Sequence, residues 1–290
     1  MSRRIASRLW GRLAGLMSGL AMLAPIYALA AGCEPNVAFA PPHLTLANYS
    51  LTDAAEEATQ GNVDLTFIGH ASVLIKSPQG VSIVTDLNDY FPPPYPPDIA
   101  TMNHFHDTHY TDHPDPRIPY VLRGWDTGNG PAHWDMTVKD VRVRNIPTNV
   151  RNFFSGGTEY NGNSIFIFEI ADLCIAHLSH LQHTLTPEHL AAMGQIDVLL
   201  PMVDGAYSLS QYDIIQVIDQ IKPQLIIPIH YFGPSQLQNF LNRMQNHYPV
   251  EHVEDPHIVI SRATLPKKPE ILVMPAMQEE FFRFAPPSRN

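Results

Sequence analysis

Three histidines stand within six residues in the segment 103–109, which reads Asn-His-Phe-His-Asp-Thr-His. They are His104, His106 and His109, and imidazole is the commonest protein ligand of zinc and related ions. The mostly apolar run 99–102 before them predicts a strand, and side chains two residues apart at a strand end point to the same side. The spacing therefore indicates a metal site. A solvated, histidine-rich loop is the alternative interpretation.

Other histidines also follow predicted strands. His180 comes after the apolar segment 173–178, and His230 ends the apolar run 225–229. Together with His104 and His106, these side chains fall at strand ends that are far apart in the sequence. Ligands collected from distant segments at one edge of a sheet are typical of an active site.

The rest of the chain predicts an α/β domain. Strand patterns come first, and helices and strands alternate later in the chain. Predicted strands are 63–68, 72–76, 81–85, 141–146, 164–170, 173–178, 196–203 and 225–230, and predicted helices are 187–194, 210–221 and 234–247. Asn161-Gly162-Asn163 predicts a turn. The proline-rich segment after Met274 is expected to be loose.

Composition limits the function classes. The chain has 290 residues, 44% hydrophobic residues and a formal net charge of -10. A long basic cluster is absent beyond the N-terminus, so nucleic acid is excluded as a partner and a small-molecule substrate is expected. We predict a signal peptide (1–30), an N-terminal arm (31–61), one main α/β domain (62–275) and a C-terminal tail (276–290).

The N-terminus indicates export. Arg3, Arg4, Arg8 and Arg12 precede a mostly apolar segment that ends at a small-residue cleavage site, residues 28–30. The mature protein is therefore expected in the periplasm or another extracytoplasmic space. Sec, Tat and lipoprotein signals all stay open, and membrane contact is expected only if Cys33 carries a lipid. Cys33 and Cys174 could pair, but we expect a plain buried thiol at Cys174.

Several ordered segments resemble the metallo-β-lactamase-fold hydrolase superfamily, in the branch of the ascorbate-6-phosphate lactonase and the N-acyl-phosphatidylethanolamine phospholipase. Residues 65–75 resemble its first strands, and 104–109 fall on its His-x-His-x-Asp-His motif. Residues 176–181 fall on its Gly-Asp segment, and 226–231 resemble the strand with the terminal histidine. The resemblance implies a four-layer αββα sandwich.

The resemblance also implies the ligands His104, His106, His109 and His230, and we add His180, which stands where the family has an aspartate. His104, His106 and His180 could form a three-histidine site with an open water position. His109 and His230 would then be a weak second site or would complete one five-histidine site. Asp107 and His180 are the candidate catalytic residues, and His70 and Asp86 are expected behind the ligands. The chain departs from the family motifs, because Thr108 replaces an aspartate and His180 replaces the bridging carboxylate. Without carboxylates between them, two dications would repel each other strongly. We therefore expect one tightly bound Zn²⁺ rather than two, with Mn or Fe as other possibilities.

The expected function is metal-dependent hydrolysis. A metal-bound water loses a proton near neutral pH and attacks a carbonyl or phosphoryl centre. Because the sequence has no basic cluster for a phosphate, a lactone or ester is favoured over a phosphodiester. Two alternatives stay open. One is a catalytically weak metal-binding module, which the lost carboxylates suggest. The other is a mononuclear iron oxygenase, which the many histidines disfavour because such sites usually include a carboxylate.

Overall fold

A computed structural model of the chain describes residues 33, 61–104, 106–152 and 156–278. Within these ranges the chain forms fourteen strands and three helices. The strands are β1 (Val63–Gly69), β2 (Ser72–Lys76), β3 (Ser82–Val84), β4 (Ile99–Met102), β5 (Tyr120–Arg123), β6 (Asp135–Val138), β7 (Val141–Arg151), β8 (Thr158–Ile170), β9 (Leu173–His177), β10 (Val198–Leu200), β11 (Leu225–Ile226), β12 (Val250–His252), β13 (His257–Ile260) and β14 (Glu270–Val273). The helices are α1 (Pro187–Met193), α2 (Gln211–Ile221) and α3 (Pro234–Met244).

The strands form two sheets that face each other. One has six strands in the order β13-β1-β2-β3-β4-β5, and the other has eight in the order β12-β14-β11-β10-β9-β8-β7-β6. Alternate residues of β1 and β7, such as Leu65 and Val143, meet in the core between the sheets. The short strands of the second sheet are buried on both faces. In β9, for example, Ile175 faces the other sheet and Ala176 faces the helices.

The three helices cover the outer face of the eight-stranded sheet. Thr186 caps α1 in a capping box with His189, and Ser210 caps α2. The apolar sides of α2 and α3, including Val217 and Phe240, pack on this sheet. The predicted metallo-β-lactamase-type sandwich is confirmed. On the outer face of the six-stranded sheet, the described segments that pack there are loops, which contribute side chains such as Phe91.

The segment 161–163 does not form the predicted turn. Strand β8 runs through it and pairs with β7 over more residues than the apolar pattern indicated. The pairing register shifts here, and Asn161 has a φ of 57°. The turn-forming residues therefore make a β-bulge, which needs the same left-handed backbone as a tight turn.

The segment after Met274 was expected to be loose, but the backbone is fixed by hydrogen bonds up to Gln278. The backbone N–H groups of Met277 and Gln278 donate to the carbonyls of Phe67 and Ile68 at 2.9 and 3.0 Å. Strand β1 thus fixes this segment by main-chain pairing, which proline-rich composition does not reveal. The predicted signal peptide, nearly all of the arm and residues 279–290 lie outside the described residues. None of the described helices has the length and apolar character needed to cross a membrane.

The expectation of a free buried thiol at Cys174 was wrong, because Cys174 forms a disulfide with Cys33 across 141 residues of sequence. Cys174 lies in β9 under the helices, and Cys33 is buried in the same apolar cluster. The backbone N–H of Gln195 also donates to the carbonyl of Cys33 at 2.8 Å. Since its sulfur is in the disulfide, Cys33 cannot carry a lipid thioether in this state.

We predict that replacing both cysteines by alanine lowers the free energy of unfolding by about 2–4 kcal/mol, because the disulfide restricts the unfolded chain. Chemical denaturation of the oxidised protein and the double variant measures this difference. The control is reductant, which should destabilise the wild type and leave the variant unchanged. Two titratable thiols in the purified, exported protein would contradict the prediction.

Candidate metal centre

The candidate site lies where strands of both sheets end. His70 follows β1, Asp86 follows β3, Ser179 follows β9 and His230 follows β11 after a short extended segment. These four residues are among the nine described non-glycine residues with positive φ, at 53°, 44°, 48° and 53°. Such a conformation costs on the order of 1–3 kcal/mol per residue and is concentrated at functional sites. Each strand thus ends in a sharp reversal that turns a polar side chain towards the others.

Three buried histidines converge at the centre. His70, His109 and His230 each offer a ring nitrogen within 4.8 Å of the other two. The Nε2 atoms of His109 and His230 are only 3.1 Å apart. The backbone also ties the group together, because the N–H of His230 donates to the carbonyl of His70 at 2.7 Å.

Two buried carboxylates set the tautomers of this pair. Nδ1 of His109 lies 2.5 Å from Asp86 Oδ2, and Nδ1 of His230 lies 3.1 Å from Asp204 Oδ1. A carboxylate accepts hydrogen bonds, so each ring donates from Nδ1 and leaves a lone pair on Nε2. The two facing Nε2 lone pairs repel each other unless a cation lies between or beside them. This arrangement is that of metal ligands held by carboxylates behind them.

The carboxylates are themselves held by hydrogen bonds. Burial raises the pKa of Asp86, while Ser179 Oγ and Asn103 Nδ2, which donate to it at 2.7 and 3.2 Å, favour its charged form. Burial would also raise the pKa of Asp204, but hydrogen bonds from His230, Ser208 and the backbone of Ala206 outweigh it and lower this pKa. Neither carboxylate has an ion pair with Lys or Arg among the described residues. A bound cation would therefore balance their charge.

Burial keeps the histidines in the neutral form that binds metals. It is the largest cause of the lowered pKa of both His70 and His109, and the neighbouring His230 lowers both further. His70 Nε2 lies 3.1 Å from Thr108 Oγ1, while its Nδ1 is buried without a hydrogen-bond partner among the described residues. Three imidazole donors can hold a catalytic zinc ion whose fourth ligand is water.

His106 and His180 surround the triad without belonging to it. The His180 ring is perpendicular to the rings of His109 and His230, at centroid distances of 5.0 and 5.5 Å. The His106 ring lies 5.0 Å from that of His180 and is only half buried, and Tyr207 contacts it on the solvent side. Burial lowers the pKa of both His106 and His180.

Two of the residues expected in the site lie elsewhere. His104 is exposed, and its ring packs on Trp125 and Tyr110 at centroid distances of 5.1 Å. Asp107 is also exposed and accepts a hydrogen bond of 2.6 Å from the Tyr90 hydroxyl. The loop after β4 does not continue the strand, so the two-residue alternation that put His104 beside His106 no longer applies.

The sequence analysis gave His70 a different role and did not identify Asp204. His70, expected behind the ligands, is one of the three converging histidines. Asp204 was missed, although its position directly after the predicted buried strand 196–203 is the signal that could have identified it. Asp86 lies directly behind His109, with its Oδ2 2.5 Å from Nδ1 of that ring.

An apolar cavity of about 600 Å³ adjoins the histidines. His70 forms part of its wall, together with Phe91 and Phe232, whose rings lie 5.6 and 5.3 Å from that of His70. Other lining residues are Phe67, Leu237, Val253 and Met274. Phe232 also contacts Tyr207 edge to face at 5.4 Å, so aromatic rings extend from the cavity to the mouth of the site.

Comparisons with known proteins agree with this architecture. The family model of the beta-lactamase superfamily domain matches residues 64–230. A UPF0173 protein of Pyrococcus abyssi is 25% identical over 205 residues, covering 62% of this chain and 90% of that protein. A solved structure of a candidate Zn-dependent hydrolase of the metallo-β-lactamase superfamily from Thermotoga maritima is 27% identical, with a TM-score of 0.53, and the match covers 73% of this chain and 98% of the other.

A second solved structure shares the fold. CmlA, a diiron β-hydroxylase from Streptomyces venezuelae, has a TM-score of 0.51 at 10% identity, and the match covers 69% of this chain and 54% of CmlA. At this level of identity the likeness shows a shared fold only. The donor atoms must therefore decide which metal and which chemistry this chain supports.

We predict that His109→Ala and His230→Ala each abolish zinc retention, whereas His104→Ala leaves it unchanged. Asp86→Asn should weaken zinc binding about 10–100-fold, because an amide no longer fixes the Nδ1–H tautomer of His109. Elemental mass spectrometry after dialysis and chelator competition measure retention and affinity. The control His104→Ala tests whether His104 is a ligand, as the sequence motif indicated. Loss of zinc from this variant would contradict the triad of His70, His109 and His230.

Proposed function

The chain belongs to the metallo-β-lactamase-fold hydrolase superfamily and is a metal-dependent hydrolase, and we propose that it uses a single zinc ion to cleave carboxylic esters or lactones that carry an apolar group. The observation that carries the proposal is the pair of Nε2 atoms of His109 and His230, 3.1 Å apart, each with a carboxylate behind it. This geometry directs two nitrogen lone pairs towards a position that a cation could occupy.

The ligands that we propose are His70, His109 and His230. When bound, a zinc ion would lower the pKa of a water molecule towards neutrality and polarise the electrophile. The three described nitrogens supply one ion, and the carboxylates that could bridge a second ion lie behind the ligands. Three imidazoles without a directly bound carboxylate favour zinc over the non-haem iron of an oxygenase, while Mn and Fe remain outcomes of the metal analysis.

The chain's own residues position the reactants. In ester hydrolysis the water oxygen bonds to the carbonyl carbon, the bond from that carbon to the alkoxy oxygen breaks, and a proton from water ends on the departing alcohol. His70 belongs both to the histidine triad and to the lining of the apolar cavity, so a carbonyl beside His70 can have its apolar substituent in the cavity. The described lining of the cavity contains His252 but no Lys or Arg, which favours an uncharged acyl group over a phosphate.

We also propose that the protein works outside the cytoplasm. The disulfide between Cys33 and Cys174 supports this location, because such bonds persist in oxidising compartments. Cell fractionation of the full chain, with thiol alkylation of each fraction, tests it. A reduced, cytoplasmic protein with an uncleaved N-terminus would refute it. A soluble periplasmic protein with no lipid on Cys33 is the expected result.

The function is tested by turnover with a panel of lactones, p-nitrophenyl esters of increasing acyl length, phosphodiesters and β-lactams. Ester or lactone turnover should disappear on chelation, return with zinc, and be absent from His109→Ala. Turnover of phosphodiesters alone would overturn the substrate class. Zinc binding without turnover of any class would favour the alternative of a metal-binding module.

We predict that Leu237→Trp, which narrows the cavity, lowers kcat/KM for octanoyl esters by at least about tenfold while acetyl esters change less than about twofold. The matched control is Asn239→Trp, which places the same side chain on the exposed part of α3. Zinc content should stay unchanged in both. Equal losses on short and long esters would show that the cavity does not bind the acyl chain.

A further inference from the structure

His180 differs from His109 and His230 in what lies behind its Nδ1. The Gln182 side-chain amide donates to this nitrogen at 2.9 Å. Asp86 and Asp204, by contrast, accept from Nδ1 of His109 and His230. The group that contacts Nδ1 is therefore a hydrogen-bond acceptor for His109 and His230 and a hydrogen-bond donor for His180.

The orientation of the Gln182 amide is fixed by two backbone groups. Its Oε1 accepts from the backbone N–H of Arg151 at 2.6 Å, and its Nε2 donates to the carbonyl of Tyr207 at 3.1 Å. Turning the amide over would set oxygen against the Tyr207 carbonyl and NH₂ against the Arg151 N–H. The NH₂ group therefore faces His180, and Nδ1 of His180 must be the acceptor.

A neutral imidazole that accepts at Nδ1 carries its proton on Nε2. Burial favours the neutral ring, and the Nε2 atom of His180 is itself buried. An N–H group has no lone pair for a metal, so Nε2 in this tautomer is a donor aimed among the cluster rings. The opposite tautomer would place two N–H groups against each other at the 2.9 Å contact with Gln182.

We propose that His180 is not a zinc ligand but a hydrogen-bond donor, held in its Nε2–H tautomer by Gln182, to the oxygen of the bound substrate. The inference rests on the proposed function for the identity of the acceptor, and it replaces the expectation that His180 ligates. Position 180 corresponds to the bridging carboxylate of the resembled family. Where the family has a carboxylate that binds two cations, this chain therefore has His180 and Gln182, which present an N–H donor to a negatively charged oxygen. This exchange suits a site with one ion.

The donor should stabilise charge that develops on the carbonyl oxygen during attack. His180→Ala should retain one zinc per chain and lose about 10²–10³-fold in kcat with little change in KM, as removal of a single such donor does. His180→Gln, whose amide can also donate, should recover part of that loss. Loss of zinc from His180→Ala would overturn the proposal.

Gln182→Glu tests the tautomer directly, because a carboxylate behind Nδ1 would accept its proton and leave a lone pair on Nε2. Long-range ¹H–¹⁵N spectra of the histidine rings should show Nε2–H for His180 in the wild type and Nδ1–H in this variant, with and without zinc. The variant should also bind zinc more tightly and turn over substrate more slowly. Gln79→Glu is the matched control, since its side chain is exposed in a turn.

An Nδ1–H signal for His180 in the wild type would refute the inference even if the protein is an active esterase. The expected spectra and zinc retention, obtained for a protein without hydrolytic turnover, would support the tautomer and refute the proposed function. If Gln182→Glu fails to fold, the wild-type spectrum and the zinc content of His180→Ala still decide between donor and ligand.

Discussion

The site depends on two buried carboxylate–imidazole pairs. Asp86 with His109 and Asp204 with His230 bring two Nε2 lone pairs to 3.1 Å from each other, a contact that repels unless a cation is present. Burying two carboxylates without Lys or Arg partners among the described residues is also unfavourable. A bound cation would relieve both costs at once. Ser179 and Asn103 donate hydrogen bonds to Asp86 and so stabilise its charged form. They therefore contribute to the stability of the site although neither is a proposed ligand.

The sandwich provides the rigid frame that these pairs require. The two pairs come from distant parts of the chain, since His109 and His230 are 121 residues apart. One member of each pair, Asp86 and His230, follows a strand end with left-handed backbone. Strands buried on both faces, such as β9, fix the positions of those ends by packing, so the strained reversals can persist. The disulfide from Cys33 to Cys174 ties Cys33 to the same strand.

The proposed roles of the histidines differ in what stands behind each ring. In the proposed site, a carboxylate that accepts from Nδ1 leaves a lone pair on Nε2 for a metal, and an amide NH₂ that donates to Nδ1 leaves an Nε2–H for a substrate oxygen. His230 and His180 lie with their rings 5.5 Å apart, yet their partners assign them opposite tautomers. Residue type alone could not distinguish them, because the difference is carried by Asp204 and Gln182.

The sequence by itself determined the fold class, the strands and helices with clear periodicity, and the presence of a histidine-rich site, since these follow from local patterns and ordered motifs. It also placed His109 and His230 among the ligand candidates and Asp86 behind them. The tertiary structure alone decided that His70 joins the triad, that His104 packs on Trp125 at the surface, and that Cys33 meets Cys174. The physical reason is that alternation along a strand predicts side-chain direction only while the strand continues. Beyond its end, loop geometry and packing between distant segments decide which side chains meet.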